Sequence, residues 1–135
     1  MSIGSPLIPS RLAKRANSDS ETIHSILDEA LFCTVSYALE DKPFSIPTAF
    51  VRHENRIYIH GSVGSHFIRE IERGIPVCIA VTLADSLVVA RSAFHHSVNY
   101  RSVIIFAKAE KVEDPGNKSA ADWVSAPFLQ AAGHA

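Results

Sequence analysis

The sequence predicts a mainly β domain whose short strands close, or partly close, into a barrel. Six runs rich in β-branched and aromatic residues are separated by turn signals, with few helical patterns among them. Short antiparallel strands leave exposed edges unless the sheet closes on itself. A chain of 135 residues can bury one hydrophobic core but is short for two. The six runs cover residues 32–39, 44–53, 56–62, 76–83, 86–94 and 100–112.

The composition favours a globular protein with neither a membrane nor a nucleic acid as partner. Hydrophobic residues make up 47% of the chain, and no apolar run approaches the roughly 18 residues that span a bilayer. The formal net charge is −1, and basic residues are scattered apart from a cluster at Arg11, Lys14 and Arg15. The N-terminus lacks the apolar centre of a secretory signal, so we expect a cytoplasmic protein.

The chain divides into an arm, a barrel and a tail. Residues 1–17 show no apolar periodicity and are expected to form an extended arm. The barrel domain is placed at residues 18–114. Residues 115–135 form a weakly patterned tail, in which a helix is predicted over residues 118–129.

Two helices are predicted within the barrel domain. Ser18 and Glu21 match the S-x-x-E capping box and predict the start of the first helix. A short second helix follows Ser65; Gly74 suits its left-handed C-terminal position, and Pro76 blocks continuation. The apolar face of the first helix would consist of Ile23, Ile26, Leu27, Ala30 and Leu31.

Two positions interrupt the strand runs. Pro47 cannot donate a ladder hydrogen bond, so the second strand should be an edge, or open to something other than a neighbouring strand. A ligand could occupy that opening. Ala84 and Asp85 lie between the fourth and fifth runs and are expected to form a turn between two strands.

Several chemistries receive little support. Cys33 and Cys78 lie in apolar stretches and are interpreted as buried free thiols. His95 and His96 are adjacent on a loop and lack a zinc-ligand spacing, so no metal site is predicted. No G-x-S-x-G elbow supports a hydrolase.

Four segments, ILDEALFCTVSY, IPTAFVRHENRIYIHGS, GIPVCIAVTLADSLVVARSAF and HHSVNYRSV, occur in this order. They resemble the split β-barrels of the pyridoxamine 5′-phosphate oxidase-like family, in the branch with nitroimidazole-resistance-type proteins. The resemblance covers residues 11–112. It implies a Greek-key split barrel with short flanking helices, a homodimer, and flavin mononucleotide (FMN) bound non-covalently between the subunits.

The sequence departs from this pattern in three respects: two expected glycines, one expected basic residue and the tail. Ser86 and Ala107 stand where glycines are expected, and His66 stands where many relatives place Lys or Arg near the phosphate. The tail is unfamiliar where relatives continue with a helix and strand, which leaves open a truncated or alternatively ended chain.

The FMN phosphate is assigned to the segment HGSVGS and to the strand NYRSV. Glycines allow close backbone approach, serines offer hydroxyls, a helix start presents free N–H groups, and Arg101 can form a bidentate contact. The alternative for HGSVGS is an ordinary turn, and the alternative for Arg101 is a surface arginine at a strand end. Arg91 is placed similarly, and a structural role is as consistent with its position as a phosphate contact. The candidate residues are His60, Gly61, Ser62, Ser65, Tyr100, Arg101 and Ser102.

The flavin ring is assigned to the second strand, where Pro47, Thr48 and Phe50 could supply a flat wall and backbone donors and acceptors. A plain core role is the alternative. Tyr58 and His60 share the face opposite Ile57 and Ile59 and could line the cleft. No catalytic residue is identified; His60, Tyr100 and His95 are the titratable or polar candidates beside the expected cleft.

Three functions remain open. The first is an FMN-dependent oxidoreductase acting on an unknown small molecule. The second is a non-catalytic flavin store or sensor, and the third is a remnant without flavin. Heme or a deazaflavin in place of FMN is also left open, because related barrels bind such molecules.

Overall fold

The computed structural model describes residues 16–17, 19–61, 66–88, 97–112 and 123–134. Within these ranges the chain forms an antiparallel sheet and two short helices. Neither helix is long and apolar enough to cross a membrane. The elements are β1 (Ala16–Asn17), α1 (Ser20–Glu29), β2 (Phe32–Leu39), β3 (Lys42–His53), β4 (Arg56–His60), α2 (His66–Ile71), β5 (Pro76–Val88), β6 (Ser97–Lys108), β7 (Glu110–Lys111) and β8 (Trp123–His134).

Six of these strands form a ring. β8, β4, β3, β2, β5 and β6 are neighbours in that order, and β6 also pairs with β8, which closes the sheet on itself. β8 pairs with β4 and with β6 through different parts of its length. Residues Trp123 to Pro127 lie against β4, and residues Phe128 to His134 lie against β6. The predicted mainly β split barrel is therefore confirmed.

Alternating strand residues build one core inside the ring. In β2, Val35 and Tyr37 are buried, whereas the residues between and beside them are more exposed. α1 adds Ile23, Ile26 and Leu27 to the same core. Full burial of one such side chain contributes about 1.5–3 kcal/mol. The most completely buried strand residues are Val35, Ile57, Ile59, Ile79, Val81, Val103, Ile105 and Val124.

The boundaries of α1 differ from the prediction at both ends. The N-cap is Asp19, not Ser18: its Oδ2 accepts a hydrogen bond from the Thr22 backbone N–H at 3.1 Å. Aspartate caps a helix as well as serine does, so the capping box identified the helix but not its first residue. Leu31 lies beyond the C-cap Ala30 and is 74% exposed, so it does not belong to the apolar face.

The end of α2 is as predicted. The chain leaves the helix through Gly74, whose φ of 86° is left-handed and whose N–H donates to the Ile71 carbonyl at 3.1 Å. Pro76 then begins β5.

The turn predicted at Ala84-Asp85 is wrong. β5 runs through both residues as one strand, and its pairing with β6 shifts register between Ala84 and Ser86. Asp85 is thus the extra residue of a β-bulge, which bends a strand without ending it. Ser86, noted as a departure from glycine, accepts a hydrogen bond from Asn99 Nδ2 at 2.9 Å beside this bulge.

The helix predicted over residues 118–129 is wrong where the structure describes it, because Trp123 onward is β8. Val124 and Ala126 are 1% exposed, and strands pair with β8 on both sides. Burial between two ladders overrides a weak local helix preference. The barrel therefore extends past the boundary placed at residue 114.

The predicted N-terminal arm lies outside the described residues, except at its end. Ala16 and Asn17 form β1, which pairs with His134 and Gly133 of β8.

Candidate functional site

The ring has an unpaired edge along the first two thirds of β3. β2 pairs with β3 from Lys42 to Ala49, whereas β4 pairs with it only from Phe50 to His53. In the described part of the chain, no strand pairs with the β4-side edge of residues 42–49. Pro47 lies in this stretch, which confirms the prediction that the second strand is open there.

The direction of the backbone groups at this open edge follows from one hydrogen bond. The Phe50 N–H donates to the Leu31 carbonyl at 3.3 Å, on the β2 side of the strand. Because backbone groups alternate along an antiparallel strand, the N–H and C=O of Ala49 are directed to the open edge. The side of Pro47 that lacks an N–H faces the same edge, so the proline removes no ladder bond.

Of the three ring-binding candidates on β3, one belongs to the core. Phe50 is 9% exposed and packs in the core, which supports the alternative interpretation for this residue. Pro47 is exposed and Thr48 half-buried, and the Thr48 hydroxyl donates to the Ala49 carbonyl at 3.3 Å.

Gly61 marks the end of β4 and the start of the predicted phosphate loop. A Cβ at this position would lie 2.1 Å from Cγ1 of Ile68, so the glycine permits α2 to pack against the end of β4. The sequence predicts a different role for this glycine, the close approach of a phosphate. Ser62 and Ser65 lie outside the described residues.

The outer face of β4 is as predicted. Ile57 and Ile59 are buried, whereas Tyr58 is half-buried and His60 is exposed. The His60 ring lies 4.9 Å from the ring of Trp123, a neighbour that the sequence did not indicate. His66, on α2, is exposed and lies 3.9 Å from Glu70 Oε1.

Arg101 is held by two carboxylates. Its Nε and Nη2 donate to the two Asp85 oxygens at 2.8 Å each, and its Nη1 donates to Glu29 Oε2. These hydrogen bonds lower the pKa of Asp85 and raise the pKa of Arg101. Arg101 is therefore fixed in place, and its described partners are acidic residues that the sequence did not single out.

Tyr100 and Ser102 lie beside an unusual histidine. The Tyr100 ring stacks on His134 with a centroid distance of 4.9 Å, and Ser102 is the cross-strand partner of His134. His134 is 7% exposed, and neither ring nitrogen has a hydrogen-bond partner among the described residues. A buried polar group without a partner is uncommon and calls for a physical explanation.

The structure brings some predicted residues together and separates others. The last β3–β4 pair is Phe50 with Ile59, so the open edge of β3 adjoins His60 and Gly61. Tyr100, Arg101 and Ser102 lie on β6, which is three strands from β3 in either direction around the ring. The two groups therefore occupy opposite walls of one barrel.

An open groove of about 560 Å³ lies elsewhere, on the outer face of the sheet. None of the predicted cofactor-binding residues that the structure describes lines it. Its walls are mainly apolar and include Ser36, Pro43, Phe44, Ser45, Cys78 and Phe106.

The two cysteines carry no evident chemistry. Both are free, and burial raises the pKa of Cys33 to about 12. Cys78 is half-buried in the groove, and burial raises its pKa as well. Across the described ranges, no group of three potential metal ligands occurs, and His95 and His96 lie outside those ranges.

A closed antiparallel ring with short flanking helices and one open strand edge defines the split β-barrel class. The sequence profile of the family described as pyridoxamine 5′-phosphate oxidase matches residues 19–127. The chain belongs to this family.

Solved structures share the fold. The flavocytochrome Anf3 from Azotobacter vinelandii is 28% identical with a TM-score of 0.80, over 96% of this chain and 72% of that one. The FAD and heme binding protein from Mycobacterium smegmatis is 24% identical with a TM-score of 0.76, over 89% and 72%. A candidate 5-nitroimidazole antibiotic resistance protein from Bacteroides thetaiotaomicron is 22% identical with a TM-score of 0.71, over 87% and 84%. No curated protein sequence matches this chain significantly.

Proposed function

We propose that the protein binds FMN between two copies of the chain and acts as a flavin-dependent oxidoreductase on a small molecule. The observation that carries the proposal is the open edge of β3 at Ala49. A flavin pyrimidine edge presents an N–H between two carbonyls, and an unpaired strand edge offers the complementary acceptor and donor. The similarity to a flavocytochrome at 28% identity supports a flavin ligand.

A second copy would complete the site. The candidate residues on β3 and those on β6 lie on opposite walls of one barrel, so one flavin can contact both groups most directly if they come from different copies. The outer faces of β2, β5, β6 and β8 provide an uncharged surface for this association. Its half-buried residues are Thr34, Ser36, Cys78, Ala80, Ile104, Phe106, Gln130 and Ala132.

The residues have separate roles in this proposal. The backbone of Ala49 would orient the ring at the open edge, and the 60–65 segment together with Arg101 would receive the phosphate. The bound flavin would supply the electron transfer. His60 and Tyr100 are exposed and could exchange a proton with a substrate. Neither is assigned as a general acid or a general base.

FMN is proposed rather than FAD because the predicted anion site is compact and no G-x-G-x-x-G fingerprint is present. The Mycobacterium smegmatis relative, in contrast, is an FAD and heme binding protein. Heme is therefore the second candidate, and the unpartnered imidazole of His134 is the observation that favours it.

The absorption spectrum of the purified protein, followed by mass analysis of the released cofactor, tests these assignments. Flavin bands with released FMN support the proposal, released FAD corrects the nucleotide, and a Soret band supports heme. A colourless protein that cannot be reconstituted with FMN overturns the flavin assignment. Reduction of bound flavin by NADH or NADPH and reoxidation by an added acceptor distinguish an enzyme from a store or sensor.

The proposed dimer surface can be tested separately by sedimentation. Ile104→Lys places a charge in the middle of the outer face and should produce monomers that bind flavin poorly. Leu129→Lys is the matched control, because Leu129 is 61% exposed and lies at the register shift between β6 and β8. Two variants that remain dimeric to the same extent would exclude this surface.

A further inference from the structure

Arg101 connects two elements through unequal contacts. Asp85, at the β5 bulge, accepts two hydrogen bonds from the guanidinium, whereas Glu29, the last residue of α1, accepts one. The Glu29 side chain is 56% exposed and that of Asp85 is 38% exposed. Of the two carboxylates, Glu29 is therefore the one that a competing anion displaces more easily.

The position of Glu29 at the end of α1 also destabilises its carboxylate. The C-terminus of a helix carries partial negative charge, which disfavours an acidic side chain there. The last turn of α1 has no basic residue to offset this charge. Asp28, in the same turn, is compensated by two contacts with Arg52, at 2.7 and 2.9 Å. Within the described ranges, the ion-pair partner of Glu29 is Arg101 alone.

The charges around Arg101 also disfavour the binding of an anion in addition to the two carboxylates. One guanidinium faces two carboxylates, so the cluster of Glu29, Asp85 and Arg101 carries a net negative charge. A phosphate dianion could bind this cluster only if one carboxylate left. If Glu29 leaves, Nη1 becomes available while Asp85 still holds Nε and Nη2 and keeps the guanidinium in place.

We propose that Glu29 is a built-in competitor for the flavin phosphate at Arg101, and that Asp85 is the positioning residue that holds Arg101 during the exchange. The inference rests on the proposed function, because the incoming group is the phosphate of FMN. It makes the affinity for FMN depend on a residue outside the cofactor contacts. It also predicts a ligand-dependent effect, because riboflavin has the same ring but no phosphate.

The test compares Glu29→Gln with Asp28→Asn. Both variants remove one carboxylate from the same helix turn, but only the first removes it from Arg101. Glu29→Gln should tighten FMN binding roughly two- to fivefold, the upper part of the range expected for loss of an exposed ion pair. Its affinity for riboflavin should equal that of the parent, and Asp28→Asn should change neither affinity by more than about twofold.

A double variant assigns the effect to Arg101. Glu29→Gln combined with Arg101→Ala should lose the gain for FMN and keep the riboflavin affinity. Equal FMN affinity in the parent and Glu29→Gln would overturn the inference while leaving the proposed function intact. Equal tightening of FMN and riboflavin would also overturn it, because it would indicate a structural effect of α1. A parent that binds neither ligand would overturn the proposed function, and the inference with it.

Discussion

The two parts of β3 differ in what surrounds them. Residues Phe50–His53 pair with β4, and Phe50 also donates to the Leu31 carbonyl and is part of the core. Residues 42–49 are paired on one side, and most of their side chains are exposed. The difference arises because β4 ends at His60 and the chain turns away at Gly61. A single strand thus contributes a core side chain where it pairs with β4, and leaves its β4-side backbone groups without a strand partner along residues 42–49 of the described chain.

The largest test of this difference compares two phenylalanines on the same strand. Phe50→Ala should destabilise the protein by about 3–5 kcal/mol, because it leaves a cavity in the core. Phe44→Ala should cost about 1 kcal/mol, because this ring is 37% exposed and mainly stacks on Tyr37. Denaturant unfolding of both variants measures the two losses. Similar losses would contradict the division of the strand.

The next test concerns Gly61, which follows the last residue of β4 and so lies where the pairing between β3 and β4 ends. Gly61→Ala should destabilise the fold by about 1–3 kcal/mol, because the added methyl group overlaps Ile68 and α2 must shift. Gly74→Ala is the matched control. Its Cβ would meet nothing within 4 Å, so only the positive φ of 86° opposes it, at a cost of about 1 kcal/mol. A smaller loss at Gly61 than at Gly74 would exclude the packing role.

Binding at the open edge can be weakened without disturbing the ladder. Ala49→Pro removes an N–H that is directed away from β2, so the free energy of unfolding should stay within about 0.5 kcal/mol of the parent. FMN and riboflavin should both bind roughly three- to tenfold more weakly, because one hydrogen bond to the ring is lost. Ala49→Ser keeps the backbone N–H and is the control, so it should retain flavin affinity. Unchanged binding to Ala49→Pro would place the ring elsewhere.

The smallest effect is expected at the ion pair between Asp28 and Arg52, in the part of β3 that pairs with β4. Asp28 accepts its two hydrogen bonds and has a pKa below the usual value of 3.8, mainly because of those bonds. The Asp28 side chain is 52% exposed, so Asp28→Asn should cost no more than about 0.5 kcal/mol at pH 7.

The sign of the pH dependence follows from that pKa. Because the folded pKa of Asp28 is lowered, its stabilising contribution is present above 3.8 and is lost as the pH falls through the folded value. The unfolding free energies of the parent and Asp28→Asn should therefore converge in acid. A difference that grew below pH 3.8 would contradict the ion pair.

The sequence by itself determined the elements whose pattern is local. Alternation in FCTVSYAL and RIYIH identified β2 and β4, and the position of Gly74 before Pro76 identified the end of α2. Pro47 indicated an open edge because proline lacks an N–H wherever it lies. The four segments that resemble the family are also local patterns, and they indicated both the family and its barrel fold.

Only the tertiary structure decided features that depend on residues far apart in the chain. Asp85 could form a turn or a bulge, and pairing with β6 on both sides of it selected the bulge. The last strand had a weak local pattern, and its place between β4, β6 and β7 made it β8. Arg101 reaches Glu29 across 72 positions of sequence, a contact that no periodicity encodes. Long-range pairing and charge compensation are set by the closed ring, so they cannot be read from neighbouring residues alone.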